Sequence, residues 1–256
     1  MKTYLTILGC GSSLGVPRVD GSWGLCNKKN RRNFRTRCSA LISRGNNIIL
    51  IDSSPDLRFQ FLKNKIQNIS SVLYTHQHAD QTHGINDLRV FYFKNKKKIN
   101  IYANISTLIF LKKNFSYCFT KKLNYPPILR ANKAKKKFSL GLDKERIQVK
   151  SIEVSHGKIN SLGYIFKDLA YISDCKRISQ SNIDKLRNLK YLVIDCFRLN
   201  PHPTHLSLNE VLDLVKLIKP YRTILTNLHS DLDYNFLLKN TPQNVIPAYD
   251  GLKIIL

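Results

Sequence analysis

The sequence predicts an α/β fold of the α+β kind, in which mixed β-sheets are covered by helices. Three observations carry that expectation. Short β-rich runs crowd the first third of the chain, later runs alternate with helical stretches, and no Pro/Gly/Ser-rich linker divides the 256 residues. Packed layers in one unit satisfy this order, so residues 1–256 are read as a single domain. A hydrophobic fraction of 43% and an aromatic fraction of 10% supply enough apolar side chain for a sizeable core.

The first strands are expected at residues 4–8, 39–43, 48–51 and 72–75, with Asn46-Asn47 as a hairpin turn between the second and third. Further strands are expected at 99–103, 147–154, 162–166, 169–173, 191–194 and 223–226. Lys167-Asp168 forms a tight hairpin between two of them. Helical period is clearest over 207–218, where Leu208, Val211, Leu212, Val215 and Ile218 share one stripe. Ser207 and Glu210 stand at capping-box spacing before it, and Pro220 ends it. Shorter helices are expected at 55–62, 106–115 and 183–189.

No apolar run approaches the roughly 18 residues of a spanning helix, and the start of the chain is too short and strand-like for a signal peptide. The expectation is a cytoplasmic protein without a membrane partner. Six scattered cysteines, with no CxxC pair, then read as core thiols. Cys26 lies in a polar loop, where a second metal site using it is the alternative. The net charge is +25, from 42 basic and 17 acidic residues. Lys94-Asn95-Lys96-Lys97-Lys98 and Lys133-Ala134-Lys135-Lys136-Lys137 fall in expected loops without interleaved aromatics. That pattern favours a solvated surface over a nucleic-acid stacking platform.

The chemistry concentrates in Thr75-His76-Gln77-His78-Ala79-Asp80-Gln81-Thr82-His83-Gly84, directly after the apolar Val72-Leu73-Tyr74. Three histidines and an aspartate so close together would each need a partner inside a core. Alternate residues of extended backbone point the same way, so His76 and His78 can share one ion, with Asp80 adding an oxygen ligand.

His76-x-His78-x-Asp80 after an apolar strand resembles the signature of the metallo-β-lactamase-fold hydrolases. The later motifs follow in that superfamily's order: His156 in Val154-Ser155-His156-Gly157, Asp174 in Tyr171-Ile172-Ser173-Asp174, and His229 in Asn227-Leu228-His229. The resemblance implies a four-layer αβ/βα sandwich of two mixed sheets. It also implies a first metal site of His76, His78, His156 and Asp174, and a second of Asp80, Asp174 and His229. Asp52, ending Ile49-Leu50-Ile51, matches a supporting carboxylate. Leu8-Gly9-Cys10-Gly11-Ser12-Ser13-Leu14-Gly15-Val16-Pro17 and His205 in Thr204-His205-Leu206-Ser207 resemble the PhnP-like phosphodiesterase branch and, more distantly, tRNase Z.

That branch implies metal-assisted hydrolysis of a small cyclic or nucleotide-like phosphodiester, in which the ions activate water and neutralise phosphoryl oxygens. His205 is the expected general acid, with Asp80 also in a catalytic role. Arg31, Arg32, Arg35 and Arg37 cluster after Cys26, and Arg35 and Arg37 are candidates to grip phosphate. His83 and His202 stay without an assigned role. One position departs from the signature: the residue after Asp80 is Gln81, where the family has histidine. An amide oxygen suits zinc less well than imidazole. The expected cofactor is therefore Zn²⁺ or Mn²⁺, with a firm first site and a weaker second one. Two copies of the chain are expected to pair, as relatives of the fold often do. Other readings remain open: an RNA-processing nuclease, a thioester or lactone hydrolase, and a non-catalytic nucleic-acid-binding protein with a degenerate site.

Overall fold

In the computed structural model, which describes residues 1–121 and 125–256, the two expected sheets each contain seven strands. The first is built from β1 (Tyr4–Gly9), β2 (Ser39–Arg44), β3 (Asn47–Ile51), β4 (Ser71–Leu73), β5 (Ile99–Ala103), β6 (Leu129–Lys133) and the last strand, β14 (Lys253–Ile255). Its order is β14-β1-β2-β3-β4-β5-β6, antiparallel up to β3 and parallel from β3 to β6. The second sheet holds β7 (Lys137–Leu140), β8 (Ile147–His156), β9 (Ile159–Phe166), β10 (Leu169–Ile172), β11 (Tyr191–Asp195), β12 (Arg222–Thr226) and β13 (Val245–Pro247). Here β7 to β10 are antiparallel and β10 to β13 parallel.

Period-two alternation explains the layers. In β3, Ile49 and Ile51 point between the sheets, where they meet Tyr164, Tyr171 and Val193. Leu50 points outward, under α1 (Leu57–Lys63), α3 (Arg89–Asn95) and α4 (Ile105–Asn114), which contribute Phe61, Phe91 and Leu111. In β11, Val193 faces the central layer, while Leu192 and Ile194 face α5 (Gln180–Leu186), α6 (Leu208–Ile218) and α7 (Tyr234–Asn240). Two helical layers thus enclose two sheets, the four-layer arrangement that the resemblance implied.

The α6 stripe buries Leu208, Val211, Val215 and Ile218, and the Ser207–Glu210 capping box is present. The expected hairpin forms at Lys167-Asp168, and the other turns at Gly45-Asn46, one residue before the expected Asn46-Asn47, with Gly45 and Lys167 at positive φ. Several elements differ from the sequence expectation. The helix expected at 183–189 lies three residues earlier, and α3, α7, β6, β7, β13 and β14 were not expected. Lys94 and Asn95 finish α3, while Lys133 ends β6 and Lys137 opens β7, so only Lys96-Lys97-Lys98 and Ala134-Lys135-Lys136 of those two lysine runs lie outside the elements.

Gly9 and Gly11 allow the first strand to pass against the chain at Arg35–Arg37. A Cβ on Gly9 would sit 2.2 Å from the Arg37 carbonyl oxygen, and one on Gly11 2.9 Å from that of Arg35. The loop beyond Gly9 also reaches the second sheet, since Ser12 N–H donates to Leu228 O and Leu228 N–H to Cys10 O. Across the molecule, Leu162 N–H of β9 donates to Thr75 O, directly after β4. The seam between the sheets is thereby closed by backbone hydrogen bonds beside His76.

Candidate metal centre

Every candidate ligand but Asp80, which lies in the short helix α2 (Ala79–Thr82), stands at or after the C-terminal end of a strand along this seam, where side chains project from the edge of a sheet into a cleft. Asp52 follows β3, His76 and His78 follow β4, His156 ends β8, Asp174 follows β10, Asp195 ends β11, and Asn227 and His229 follow β12. Asp52 and Asn227 both adopt φ 60°. Asp and Asn tolerate this left-handed conformation better than most side chains, and it turns the chain sharply at the sheet edge.

His76, His78 and His156 converge, with ring centroids 4.5–5.0 Å apart and edge-to-face geometry. His156 Nε2 lies 3.2 Å from His78 Nδ1. One nitrogen from each ring lies within 4.8 Å of the others, and a second such group joins His156, Asp174 and His205. His76 and His156 are buried, His78 opens to solvent, and His76 Nε2 is buried without a hydrogen-bond partner. Burial holds all three imidazoles below their ordinary range, His156 down to about 4. Neutral imidazoles with converging lone pairs, one of them otherwise orphaned, fit a divalent metal ion. His156 Nδ1 contacts Thr204 O at 2.9 Å, which fixes its ring and leaves Nε2 for a ligand.

A relay sets the His76 tautomer. Asp52 is fully buried and accepts from Thr75 N–H at 2.7 Å and from the Thr75 hydroxyl at 2.8 Å. With its proton turned to Asp52, the hydroxyl oxygen accepts from His76 Nδ1–H at 3.1 Å. His76 Nε2 is then the nitrogen with a free lone pair. Burial pushes Asp52 up, and the Thr75 hydrogen bonds oppose it. Asp52 thus acts on His76 through the Thr75 hydroxyl.

The second expected ligand set does not assemble. Gln81 is fully buried and its Nε2 donates to Asp80 Oδ2 and to Asp174 Oδ2, both at 3.1 Å. His229 Nε2 accepts from Arg18 Nη2 at 2.8 Å, and His229 Nδ1 lies 3.0 Å from Asp231 Oδ1. Asp80 and His229 belong to neither group of three ligands found among the described residues. The described residues bring three imidazoles together for one metal ion at His76, His78 and His156, with Asp174 Oδ1 4.0 Å from His156 Nε2, and do not assemble a second set from Asp80, Asp174 and His229.

His205 Nδ1 lies 2.8 Å from Asp195 Oδ2 and 3.9 Å from Asp174 Oδ1. Its ring stacks on Phe197, with centroids 4.6 Å apart and an interplanar angle of 18°. Asn227 Nδ2 donates to Asp195 Oδ1 at 3.1 Å and to Asp174 Oδ1 at 3.4 Å. Burial works against the His205 imidazolium, but Asp195 and then Asp174 and Asp80 outweigh it and lift the group to about 9. Burial and the neighbouring Asp80 push Asp174 well above the usual carboxylate range.

Two sequence expectations for arginines are corrected. Arg35 is 1% exposed. Its Nη2 donates to Leu232 O and Asn33 Oδ1, and its Nη1 to His229 O and to Cys26 Sγ. It is a buried brace, out of reach of substrate. Arg37 gives Nε and Nη2 to the two oxygens of Asp56, so the fork expected to grip phosphate is already filled. Cys26 lies buried against Arg35 and belongs to neither ligand group. His83 is exposed and packs edge-on against Phe115, whereas His202 stands beside Phe197 and His205. Asp195, Asn227 and Arg18 were not foreseen. Asp195 had a readable signal, since it ends a β-run just as Asp52 and Asp174 follow theirs.

The sequence profile described as Beta-lactamase superfamily domain matches residues 47–227. A curated octanoyltransferase of Porphyromonas gingivalis (strain ATCC BAA-308 / W83) is 31% identical over 256 residues, which covers 98% of this chain. The chain spans about half (51%) of that relative's length. Among solved structures, a new diphosphatase from the PhnP family superposes with a TM-score of 0.91 at 30% identity, covering 100% of this chain and 98% of that one. The Zn²⁺-bound PqqB of Methylobacterium extorquens has a TM-score of 0.79 at 17% identity, covering 99% and 100% respectively. The ligand cluster lies at the seam of two sheets, and the profile spans every one of its residues. The chain belongs to the β-lactamase superfamily domain family and has the metallo-β-lactamase fold.

Proposed function

We propose that this chain is a metal-dependent phosphodiesterase acting on a small cyclic or nucleotide-like phosphodiester. The observation that carries the reading is His205, held by Asp195 at 2.8 Å beside the His156–Asp174 side of the cluster. A water attacking phosphorus needs no such residue for its own activation, but a departing alkoxide needs a proton. With Nδ1 committed to Asp195, Nε2 of the imidazolium is the position from which that proton leaves. The 30%-identical structure is called a diphosphatase, a reaction that shares with this one the attack of water on phosphorus.

A bound Zn²⁺ or Mn²⁺ would supply Lewis-acid polarisation and lower the pKa of water. His76, His78, His156 and Asp174 would hold it. Asp195 and Asn227 orient His205, Phe197 fixes its ring plane, and Thr75 with Asp52 sets the His76 tautomer.

Hydrolysis of two phosphodiesters with added Zn²⁺ or Mn²⁺ tests the proposal. Bis-p-nitrophenyl phosphate has a leaving group that departs without protonation, and an alkyl ester does not. His78→Ala should abolish turnover of both. His205→Ala should spare the first substrate and slow the second by about 10²–10⁴-fold. Absence of turnover with either metal overturns the phosphodiesterase reading, and equal losses on both substrates overturn the role of His205.

A further inference from the structure

We infer that the second cation of this centre is the Arg18 guanidinium, and that the chain holds one metal ion where a two-ion site would be expected. The inference starts from hydrogen bonds that each use up a ligand of the second ion. Between Asp80 and Asp174 lies the amide nitrogen of Gln81, with one N–H for each carboxylate at 3.1 Å. The amide orientation follows from its partners, since the oxygen placed there would face two other acceptors. A neutral donor therefore bridges the two carboxylates that a cation would otherwise bridge, in a fully buried position that water does not contest.

His229 is closed in a complementary way. A guanidinium is always protonated and only donates, so Arg18 Nη2 at 2.8 Å must be donating into the Nε2 lone pair of His229. A neutral imidazole that accepts at Nε2 carries its proton on Nδ1, which lies 3.0 Å from Asp231 Oδ1 without a well-aligned hydrogen bond. With Nε2 occupied by Arg18 and Nδ1 protonated, no lone pair is left for an ion.

Arg18 itself remains poised to bind. Its hydrogen-bond partners are His229 and the Ser230 hydroxyl at 3.1 Å, with no carboxylate among them, and its buried Nε has no partner. The charge is thus not cancelled, unlike that of Arg37 on Asp56. The guanidinium is bonded to the His229 ring, whose centroid lies 5.2 Å from that of Phe197, on which His205 stacks. An uncancelled guanidinium on this side of the general acid suits a phosphoryl oxygen, through the planar fork that matches phosphate. The substrate-facing half of the inference rests on the phosphodiesterase reading, and the stoichiometric half does not.

The test measures metal and phosphate separately, with no turnover. The purified full chain, loaded with excess Zn²⁺ and passed through a desalting column, is analysed for metal by mass spectrometry. One ion per chain is expected for the wild type and for Arg18→Ala, and two for the double variant Arg18→Ala/Gln81→His, which restores the imidazole and frees His229. Inorganic phosphate is then titrated calorimetrically into the one-ion protein. Arg18→Ala should weaken it at least tenfold, and Arg18→Lys should recover part of the loss because charge returns without the fork. Two retained ions in the wild type overturn the stoichiometry. Unchanged phosphate affinity in Arg18→Ala overturns the role of Arg18. If no phosphodiester is ever turned over, the phosphodiesterase reading fails while a single retained ion still stands.

Discussion

Replacing Arg35 by methionine separates a residue that braces the fold from one that grips substrate. The side chain is 1% exposed, and its guanidinium bridges four groups from three stretches of chain. Methionine fills most of the same volume, so the cost is chiefly in hydrogen bonds. The bonds to Leu232 O at 2.7 Å and Asn33 Oδ1 at 3.0 Å are short and come from a charged donor. Each such bond contributes about 1.5–3 kcal/mol. The longer contact to His229 O at 3.3 Å adds less. Two backbone carbonyls lose their partner, whereas relief of a desolvated charge works in the opposite direction. The balance is a loss of about 3–5 kcal/mol, or a drop in Tm of about 10 °C for a chain of this size. Urea unfolding followed by circular dichroism should show a lower midpoint at unchanged slope. Arg35→Lys should recover only part of it, because one ammonium cannot span the four partners. A variant of full stability whose KM for a phosphodiester has risen would refute the brace and restore the substrate-binding role.

Two further outcomes follow from groups away from the cleft. Asp52→Asn removes one acceptor from the Thr75 relay and turns the hydroxyl proton toward His76 Nδ1, which moves the ring proton to Nε2. Metal affinity, measured by competition with a chromophoric chelator, should fall by about 10–100-fold, and unchanged affinity would remove Asp52 from the relay. Asp250 accepts hydrogen bonds from Cys10 and Thr36, yet burial outweighs them and raises it from 3.8 to about 6. A carboxyl whose folded value is raised contributes stability that is complete below its unfolded value and is lost as pH rises through the folded one. Between pH 4 and 7 the wild type should therefore lose about 2 kcal/mol relative to Asp250→Asn. Parallel stability curves for the two proteins in urea would show that Asp250 does not titrate in this range.

Much of the architecture was legible because long strands with period-two alternation feed both faces of a sheet, as Ile49-Leu50-Ile51 and Leu192-Val193-Ile194 do. The elements that escaped were short or misleading in composition. β13 and β14 have three residues each, too few for a pattern, and β6 and β7 flank a lysine run and carry only two apolar side chains each. The α3 sequence Arg89-Val90-Phe91-Tyr92-Phe93 is rich in β-formers, and packing of Phe91 against Phe61 overrides that preference. At the centre, ligands that follow strands were readable one by one. Their partners were not, because the two carbonyl acceptors of Arg35 lie nearly two hundred residues away and the partners of Arg18 farther still. Gln81 was visible as a departure from the signature, but only the fold shows its amide between two carboxylates.

The bond from Leu162 N–H to Thr75 O closes the seam between the sheets. The same seam divides the metal ligands, with His76 and His78 on the side of the first sheet and His156 and Asp174 on that of the second. An ion held there is a rivet as well as a reagent. It joins residues about eighty to one hundred positions apart, a loop whose closure is entropically costly in the unfolded chain. Tight binding to the folded state alone would raise stability in proportion to the logarithm of free metal concentration. Withdrawal of the ion should then loosen β4 and β9 before the helical layers, so that the same atoms govern hydrolysis and the cohesion of the two halves.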